Sequence, residues 1–597
     1  MILLAAVGLI VGRLVYIQVF AADDLQAAAE AQRTVPYTTH ARRGTISDRN
    51  GMVLATSIDT VSIYANTTQI KDINATAYYL TKALGGEYDY WYNLLADAPK
   101  PPADGTNVCL VRYGDLELQA AINAVQDELK PYALAITRLQ ARLDPQGSPV
   151  WYAETPLSCI NFVPEYKRVY PYGQIGAQVI GNVDSEGHGI CGLELQYDAI
   201  LAGKDGVVSV EVGYDGTPLP NGKREEDPKV DGANILISID IDLQEYLESE
   251  LSRIGELGAV EFGSATVLDG ASGEIYATAS LPLYDRENIT TEQIIAGAMN
   301  LRSITVPYEP GSTMKGVTCA AVLEAGVFDT SEWIYVPASL SVDGYRVRDY
   351  YDRSDQEMDL RTIMLNSSNV GMSLVAQRLG KQGLFDYFYQ AGFYQPSHVD
   401  YQGLSGVGEP VFLNDGIDAS GAYVSIADKP YLWSDILFSN LTFGQGLMVT
   451  ALQMTSYYGA IANDGMLYQP HFLINLPQSS EPIDYQPRRI MTEATADTMV
   501  DLLESVVTDG TGMPAQIPGY RVAGKTGTAE KASETGGYSD QVIQSMVGFF
   551  IDGDCDLVCM VTTDDAGMVG GAVASKAIFV SIMEYMANRY RVEPSNF

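Results

Sequence analysis

Histidine is nearly missing: there are four in 597 residues, at His40, His188, His398 and His471, and none is near another. Cysteine is also sparse, with six residues whose spacing matches no zinc motif. Cys555 and Cys559 fall four apart in an expected strand, on one face but too far apart to bridge, and no disulfide pairing is assigned. No metal or nucleotide cofactor is suggested. Basic charge is lacking too, with 37 lysines and arginines against 75 acids and a net charge of −38. That balance excludes a nucleic-acid-binding surface, which needs a basic footprint. Long apolar runs are absent beyond the first twenty residues; no second run approaches the ~18 residues of a membrane helix.

What is present suffices for large cores, since 46% of residues are apolar and the length calls for two or three domains. The chain is organised around Tyr308-Glu309-Pro310-Gly311-Ser312-Thr313-Met314-Lys315-Gly316. Pro310 and Gly311 are turn formers, and an apolar run to Ala325 with Gly326 as a stop predicts a helix. Ser312 then sits in its first turn with Lys315 on the same face. A serine hydroxyl needs a base, a lysine of lowered pKa can serve, and the helix start offers free N–H groups to an oxyanion. Alone the pair means little, because a chain this long holds roughly two Ser-x-x-Lys by chance.

Two further stretches add weight. In Asn366-Ser367-Ser368-Asn369-Val370-Gly371, Ser367 and Asn369 can relay a proton and hold an amide, although a helix N-cap explains the same residues. Arg521-Val522-Ala523-Gly524-Lys525-Thr526-Gly527-Thr528 reads as a strand of small residues. Lys525, Thr526 and Thr528 there offer a cation and two hydroxyls to a carboxylate, and Gly527 lets a ligand backbone approach. A solvated edge strand with a protective lysine is the plainer reading.

The ordered trio Ser-x-x-Lys, Ser-x-Asn, Lys-Thr-Gly resembles the penicillin-binding proteins, whose signature it matches, and among them the class B peptidoglycan D,D-transpeptidases of division or sporulation type. The resemblance continues in Arg43-Gly44-Thr45-Ile46-Ser47-Asp48-Arg49-Asn50-Gly51, in Arg168-Val169-Tyr170-Pro171-Tyr172-Gly173, and in Gly181-Asn182-Val183 with Gly192-Leu193-Glu194. Phe443-Gly444-Gln445-Gly446 is similar to the division and sporulation branch. The implied fold is α+β: a β-lactamase-like transpeptidase domain, with a central antiparallel sheet flanked by helices, plus an elongated N-terminal α+β pedestal.

The implied mechanism acts on stem peptides ending in D-Ala-D-Ala. Ser312 attacks and Lys315 is its base. Ser367 and Lys525 relay a proton, Asn369 holds the peptide amide, and Thr526, Gly527 and Thr528 bind the carboxylate end. The backbone N–H groups of Ser312 and Thr528 form the oxyanion hole. β-Lactams would acylate the same serine. Implied partners are lipid-linked glycan strands, a SEDS-type membrane glycosyltransferase and a division or sporulation complex.

The expected domains are 1–20, a membrane anchor whose start lies upstream of this sequence; 21–233, a pedestal or dimerisation-like module; and 234–597, the transpeptidase domain. For 1–20 a signal peptide and a buried helix compete. Arg13 within the run speaks against the former, and Leu14-Val15-Tyr16-Ile17-Gln18-Val19 resembles the outer end of a class B anchor. The anchored reading puts the catalytic domain outside the cell.

Within 21–233, 21–32 is expected as a helix, Asn50-Gly51 as a hairpin turn followed by a separate strand at Ser62–Ala65, Pro99-Lys100-Pro101-Pro102 as a linker, and 113–139 as a helix. Asp215-Gly216 marks a further turn. The middle of the last domain, to about Ala462, is expected to be mostly helical. Two alternatives stand beside cross-linking. One is a carboxypeptidase or β-lactamase-type hydrolase, for which Glu409 is offset by one residue from the class A motif; the other is a penicillin-binding scaffold or sensor.

Overall fold

The computed structural model describes residues 8, 11–13, 15–20, 33–98, 107–143, 155–213, 219, 221–256, 260, 262–406, 415–417, 423–425, 429–479, 483–532, 538–553, 555–565 and 571–595. The expected helix 21–32, the linker 99–102, the turn 215–216 and Glu409 lie outside them, as does most of 1–20. Among the described residues no helix is long and apolar enough to cross a membrane. All six cysteines are unpaired.

Two compact units form, one from 1–44, 56–169 and 202–232, the other from 45–55, 170–201 and 233–597. In the first, residues of the strand Val53–Asn66 pair antiparallel with Asn107–Gly114 and with Ile160–Val169. The helices Ile73–Leu84, Tyr88–Ala96 and Leu116–Leu143 belong to the same unit, whose core includes Val61, Ile63, Leu80, Trp91 and Ile122. Two expectations change here, and one strand goes unforeseen. Ser62–Ala65 continues the strand that begins at Val53. The helix begins at Leu116, because Tyr113, with φ 54°, closes a strand. The strand Ile160–Val169 escapes sequence reading because it carries Pro164, which a strand paired on one side only can hold.

The second unit takes in 45–55 and 170–201, which sequence reading put in the N-terminal module. The reason is a shared core: Ile46, Leu54, Val179 and Leu193 bury with Ile235, Ile237, Ile275 and Phe472. The elements that position the site are, in order, α1 (Ile241–Glu256), β1 (Phe262–Asp269), β2 (Ile275–Leu281), α2 (Met314–Glu324), α3 (Asn369–Ala376) and α4 (Ala451–Ala462). They continue with α5 (Glu493–Asp509), β3 (Val522–Ala532), β4 (Tyr538–Phe550), β5 (Leu557–Asp565) and α6 (Gly571–Arg589). The strands make one antiparallel sheet in the order β2-β1-β5-β4-β3, which leaves β3 at an edge.

The unbroken apolar run in β5 follows from cover on both faces. Leu557, Cys559 and Val561 join Leu247 and Leu251 of α1 and Ile578, Phe579 and Ile582 of α6. Val558 and Met560 face the other way, into a core with Val317 and Val322 of α2 and Tyr457 of α4. Leu243, Leu247, Leu251 and Ile254 recur at helical spacing on α1, which is why that helix packs by one stripe. Arg589 near the end of α6 pairs with buried Asp240 at 2.5 Å, tying the closing helix down. The middle is not purely helical: Ile334–Val336 pairs with Gln356–Met358, and Ser339–Val342 with Tyr345–Arg348. Strands of three or four residues are too short to show alternation in sequence.

Two glycines that sequence reading singled out are required by backbone geometry. Gly181 has φ 83°, and a Cβ there would sit 1.8 Å from the Cys191 carbonyl oxygen; Gly192 has φ 65°. Gly181→Ala is expected to destabilise the second unit by about 3 kcal/mol or more, read as a lower thermal midpoint.

Candidate active site

Ser312 lies on a 3₁₀ turn, Gly311–Thr313, that runs directly into α2. The turn is tight because Gly311 has φ 55° and its N–H bonds the Gly444 carbonyl at 3.0 Å. Glu309 accepts the Gly446 N–H at 2.9 Å, and Thr313 Oγ1 donates to the Pro310 carbonyl at 2.7 Å. Tyr458 of α4 donates to the Thr313 carbonyl at 2.8 Å. Held this way, Ser312 is half-buried with its Oγ 2.6 Å from Lys315 Nζ.

Lys315 is fully buried and also reaches Ser367 Oγ at 3.1 Å and the Ser367 carbonyl at 3.0 Å. Lys525 on β3, equally buried, approaches the same Ser367 Oγ at 3.1 Å. The three sequence stretches therefore meet at one hydroxyl. Burial is the main reason that the pKa of Lys315 falls well below its ordinary value; Lys525 lowers it further and Asp349 opposes. Burial and then Lys576 of α6 push Lys525 down to about 7.

Ser367 has φ 53°, a left-handed conformation that costs a non-glycine residue roughly 1–2 kcal/mol. The neighbouring Ser368 compensates by capping α3, accepting the Gly371 N–H at 2.9 Å. The cap and the contact with the lysines fall on neighbouring residues: Ser368 is the cap, and Ser367 projects to the lysines. Ser368 also donates to Asp349 at 2.8 Å, and Asp349 accepts the Val370 N–H at 3.0 Å and pairs with Arg353 at 2.6 Å. Sequence reasoning missed Asp349, which sits in a run of alternating charge that reads as solvated surface. Asn369 Nδ2 donates to the Arg348 carbonyl at 3.0 Å.

Along β3, Thr526 Oγ1 bonds Thr511 at 3.1 Å, and Thr528 is exposed and bonds Gln544 Oε1 at 3.0 Å. Gly527 is demanded by contact: a Cβ would meet Ser545 Oγ at 2.2 Å and the Pro310 carbonyl at 3.0 Å. The arrangement combines a hydroxyl beside a lysine of lowered pKa, a second hydroxyl shared with a titratable lysine, and an edge strand presenting hydroxyls. It is suited to acyl transfer through serine.

Comparison with known proteins agrees. Residues 263–584 match the penicillin-binding protein transpeptidase domain and residues 38–237 the penicillin-binding protein dimerisation domain. Penicillin-binding protein PbpB of Mycobacterium tuberculosis is 31% identical over 544 residues, covering 89% of this chain and 74% of that protein. Peptidoglycan D,D-transpeptidase FtsI of Escherichia coli is 28% identical over 596 residues, covering 99% and 91%. Among solved structures, penicillin-binding protein 3 of M. tuberculosis complexed with ampicillin superposes with a TM-score of 0.66 at 25% identity, covering 94% of this chain and 98% of that one.

The chain belongs to the class B penicillin-binding proteins, in which a dimerisation domain precedes the transpeptidase domain. Its activity is that of a peptidoglycan D,D-transpeptidase, cross-linking peptidoglycan in cell-wall synthesis.

Asp349 holds the Ser367 loop from behind without reaching Ser312. Asp349→Ala is expected to leave the protein folded but slow its acylation by a fluorescent penicillin about 10²-fold, the cost of a misplaced reacting group, measured under single-turnover conditions.

Proposed function

We propose that Ser312 is the nucleophile of this transpeptidase and Lys315 its general base. The observation that carries this is the 2.6 Å approach of a fully buried lysine nitrogen to the serine oxygen. A lysine stripped of water is neutral at a pH where an exposed one is charged, so it can take the serine proton. Ser312 Oγ bonds to the carbonyl carbon between the two D-alanines of a stem peptide. The C–N bond then breaks, and Ser367 with Lys525 returns a proton to the departing D-alanine. Backbone N–H groups of Ser312 and Thr528 hold the oxyanion.

Asn369 holds the peptide amide. Lys525, Thr526 and Thr528 receive the terminal carboxylate, with Gly527 letting β3 pack against Ser545 and Pro310, and binding energy there orients the carbonyl. An amine from a neighbouring stem resolves the acyl-enzyme. β-Lactams acylate the same serine. In this reading residues 1–20 anchor the chain in the cell membrane, and the unit that carries Ser312 is the catalytic domain on the extracellular side. The protein works with a SEDS-type glycosyltransferase on lipid-linked glycan strands within a division or sporulation complex.

Ser312→Ala is expected to abolish labelling by penicillin. With the intact serine and a radiolabelled stem peptide, the acyl group is expected to leave as a cross-linked dimer. Release only as a free shortened peptide would favour the hydrolase, and septation or sporulation surviving Ser312→Ala would favour the scaffold.

The lysines fix the pH profile. Lys315 becomes a base only once deprotonated, so kcat/KM rises with pH through its lowered pKa. Lys525 loses its charge as pH passes about 7, so capture of a terminal carboxylate weakens above that point. The expected profile is a bell for carboxylate-ended peptides. Lys525→Arg, which keeps its charge, is expected to move the falling limb upward and leave the rising limb in place.

A further inference from the structure

A cavity of about 360 Å³ opens in the same unit, bordered by two of the segments that carry the proposed chemistry. Glu309 lines it from the segment that ends in Ser312, and Ala529 lines it from β3, one residue after Thr528. Its walls include Val306, Met448 and Ile543. Ile543 pairs with Asp564, and Asp564 with Phe262, so these three share one sheet face at adjacent positions.

Arg302 supplies the cavity's distinctive chemistry. Its guanidinium stacks 4.5 Å from the centre of the Phe262 ring. Its backbone N–H donates to Ser280 Oγ at 2.9 Å, but among the described residues the guanidinium has no hydrogen-bond or ion-pair partner; burial lowers its pKa from the ordinary arginine value and the charge of Asp564 opposes. Of the other polar groups, Asp564 pairs with Lys531, Glu309 accepts from Gly446, Ser264 and Thr562 bond each other at 2.7 Å, and Glu530 is exposed, while the hydroxyls of Tyr308 and Thr563 are buried without a hydrogen-bond partner among the described residues.

A desolvated, unpaired guanidinium is costly unless an anion meets it, and its planar fork fits a carboxylate. The three acids around it repel a dianion, and the apolar walls suit a small aliphatic side chain beside the bound carboxylate. We propose that this cavity binds the carboxylate end of a second short peptide, alongside the one that acylates Ser312. The inference rests on the stem-peptide substrate proposed above and adds a distinct place for a second strand, which a cross-linking enzyme must hold while the first is covalently attached.

The test uses the full chain with Ser312 already acylated by benzylpenicillin, titrated with N-acetyl-D-alanyl-D-alanine, its C-terminal amide, and inorganic phosphate, binding being followed by calorimetry. The acid is expected to bind saturably, and the amide and phosphate about tenfold more weakly or worse. Arg302→Gln is expected to weaken the acid by a similar factor while penicillin acylates it at the wild-type rate. Equal binding of acid and amide, or of acid to wild type and Arg302→Gln, overturns the proposal. The acid–amide comparison needs no variant, so a folding defect in Arg302→Gln does not blunt it. If penicillin fails to acylate Ser312, the proposed function falls instead, and the same titration on Ser312→Ala still decides whether the cavity takes a peptide acid.

Discussion

Two lysine nitrogens share one serine hydroxyl in the interior of this protein. Two ammonium groups cannot both stay charged around one oxygen away from water, because desolvation and mutual repulsion act in the same direction. At least one must be neutral near neutral pH, and burial is the main cause lowering the pKa of both. On the proposed mechanism, reactivity follows from burial rather than from an added acid or base. Burial in turn depends on everything that keeps water out: α2 sunk in a core with Val317 and Val322, α4 with Tyr457 and Tyr458, and a sheet covered on both sides.

The constraint also explains where the rigid parts lie. Gly311, Gly444 and Gly527 sit at backbone approaches too close for a side chain. A Cβ on Gly311 would meet the Thr528 carbonyl at 2.5 Å, and one on Gly444 the Gly311 carbonyl at 2.1 Å. These contacts lock the Ser312 turn to β3 on one side and to the 443–450 loop on the other. Ser367 is held in a strained conformation, and the ion pair and hydrogen bonds of Asp349 keep it there. Strain of this kind persists only where the surroundings over-determine it.

Much of this was legible in the sequence, for reasons specific to each part. The Ser312 helix announced itself through Pro310-Gly311, an apolar run and Gly326, and the β4–β5 pair through two apolar runs around Asp552-Gly553. Each candidate residue shows itself in sequence through its spacing to another, because groups at a fixed offset along a helix or strand share a face. Asp349 had no such partner in sequence and came into view only through the hydrogen bonds it accepts. The 443–450 loop was noticed as a resemblance, yet its purpose, to brace Gly311 and Glu309, is a matter of backbone hydrogen bonds that no side-chain pattern encodes. Residues 45–55 and 170–201 were assigned to the pedestal because reading in chain order cannot show that Ile46 and Val179 share a core with Phe472.

The position of β3 adds a last constraint. An edge strand exposes unpaired backbone groups and is ordinarily guarded against association. Here the strand's first lysine, Lys525, points inward and is fully buried, Thr528 is left exposed, and the exposed charge of Glu530 comes only two residues later. An extended peptide can therefore lie along β3 as an added strand, its backbone paired while its end meets the hydroxyls. The open edge is consistent with a substrate that is itself an extended peptide, and the lysine that would have protected the edge is the one that the chemistry draws inside.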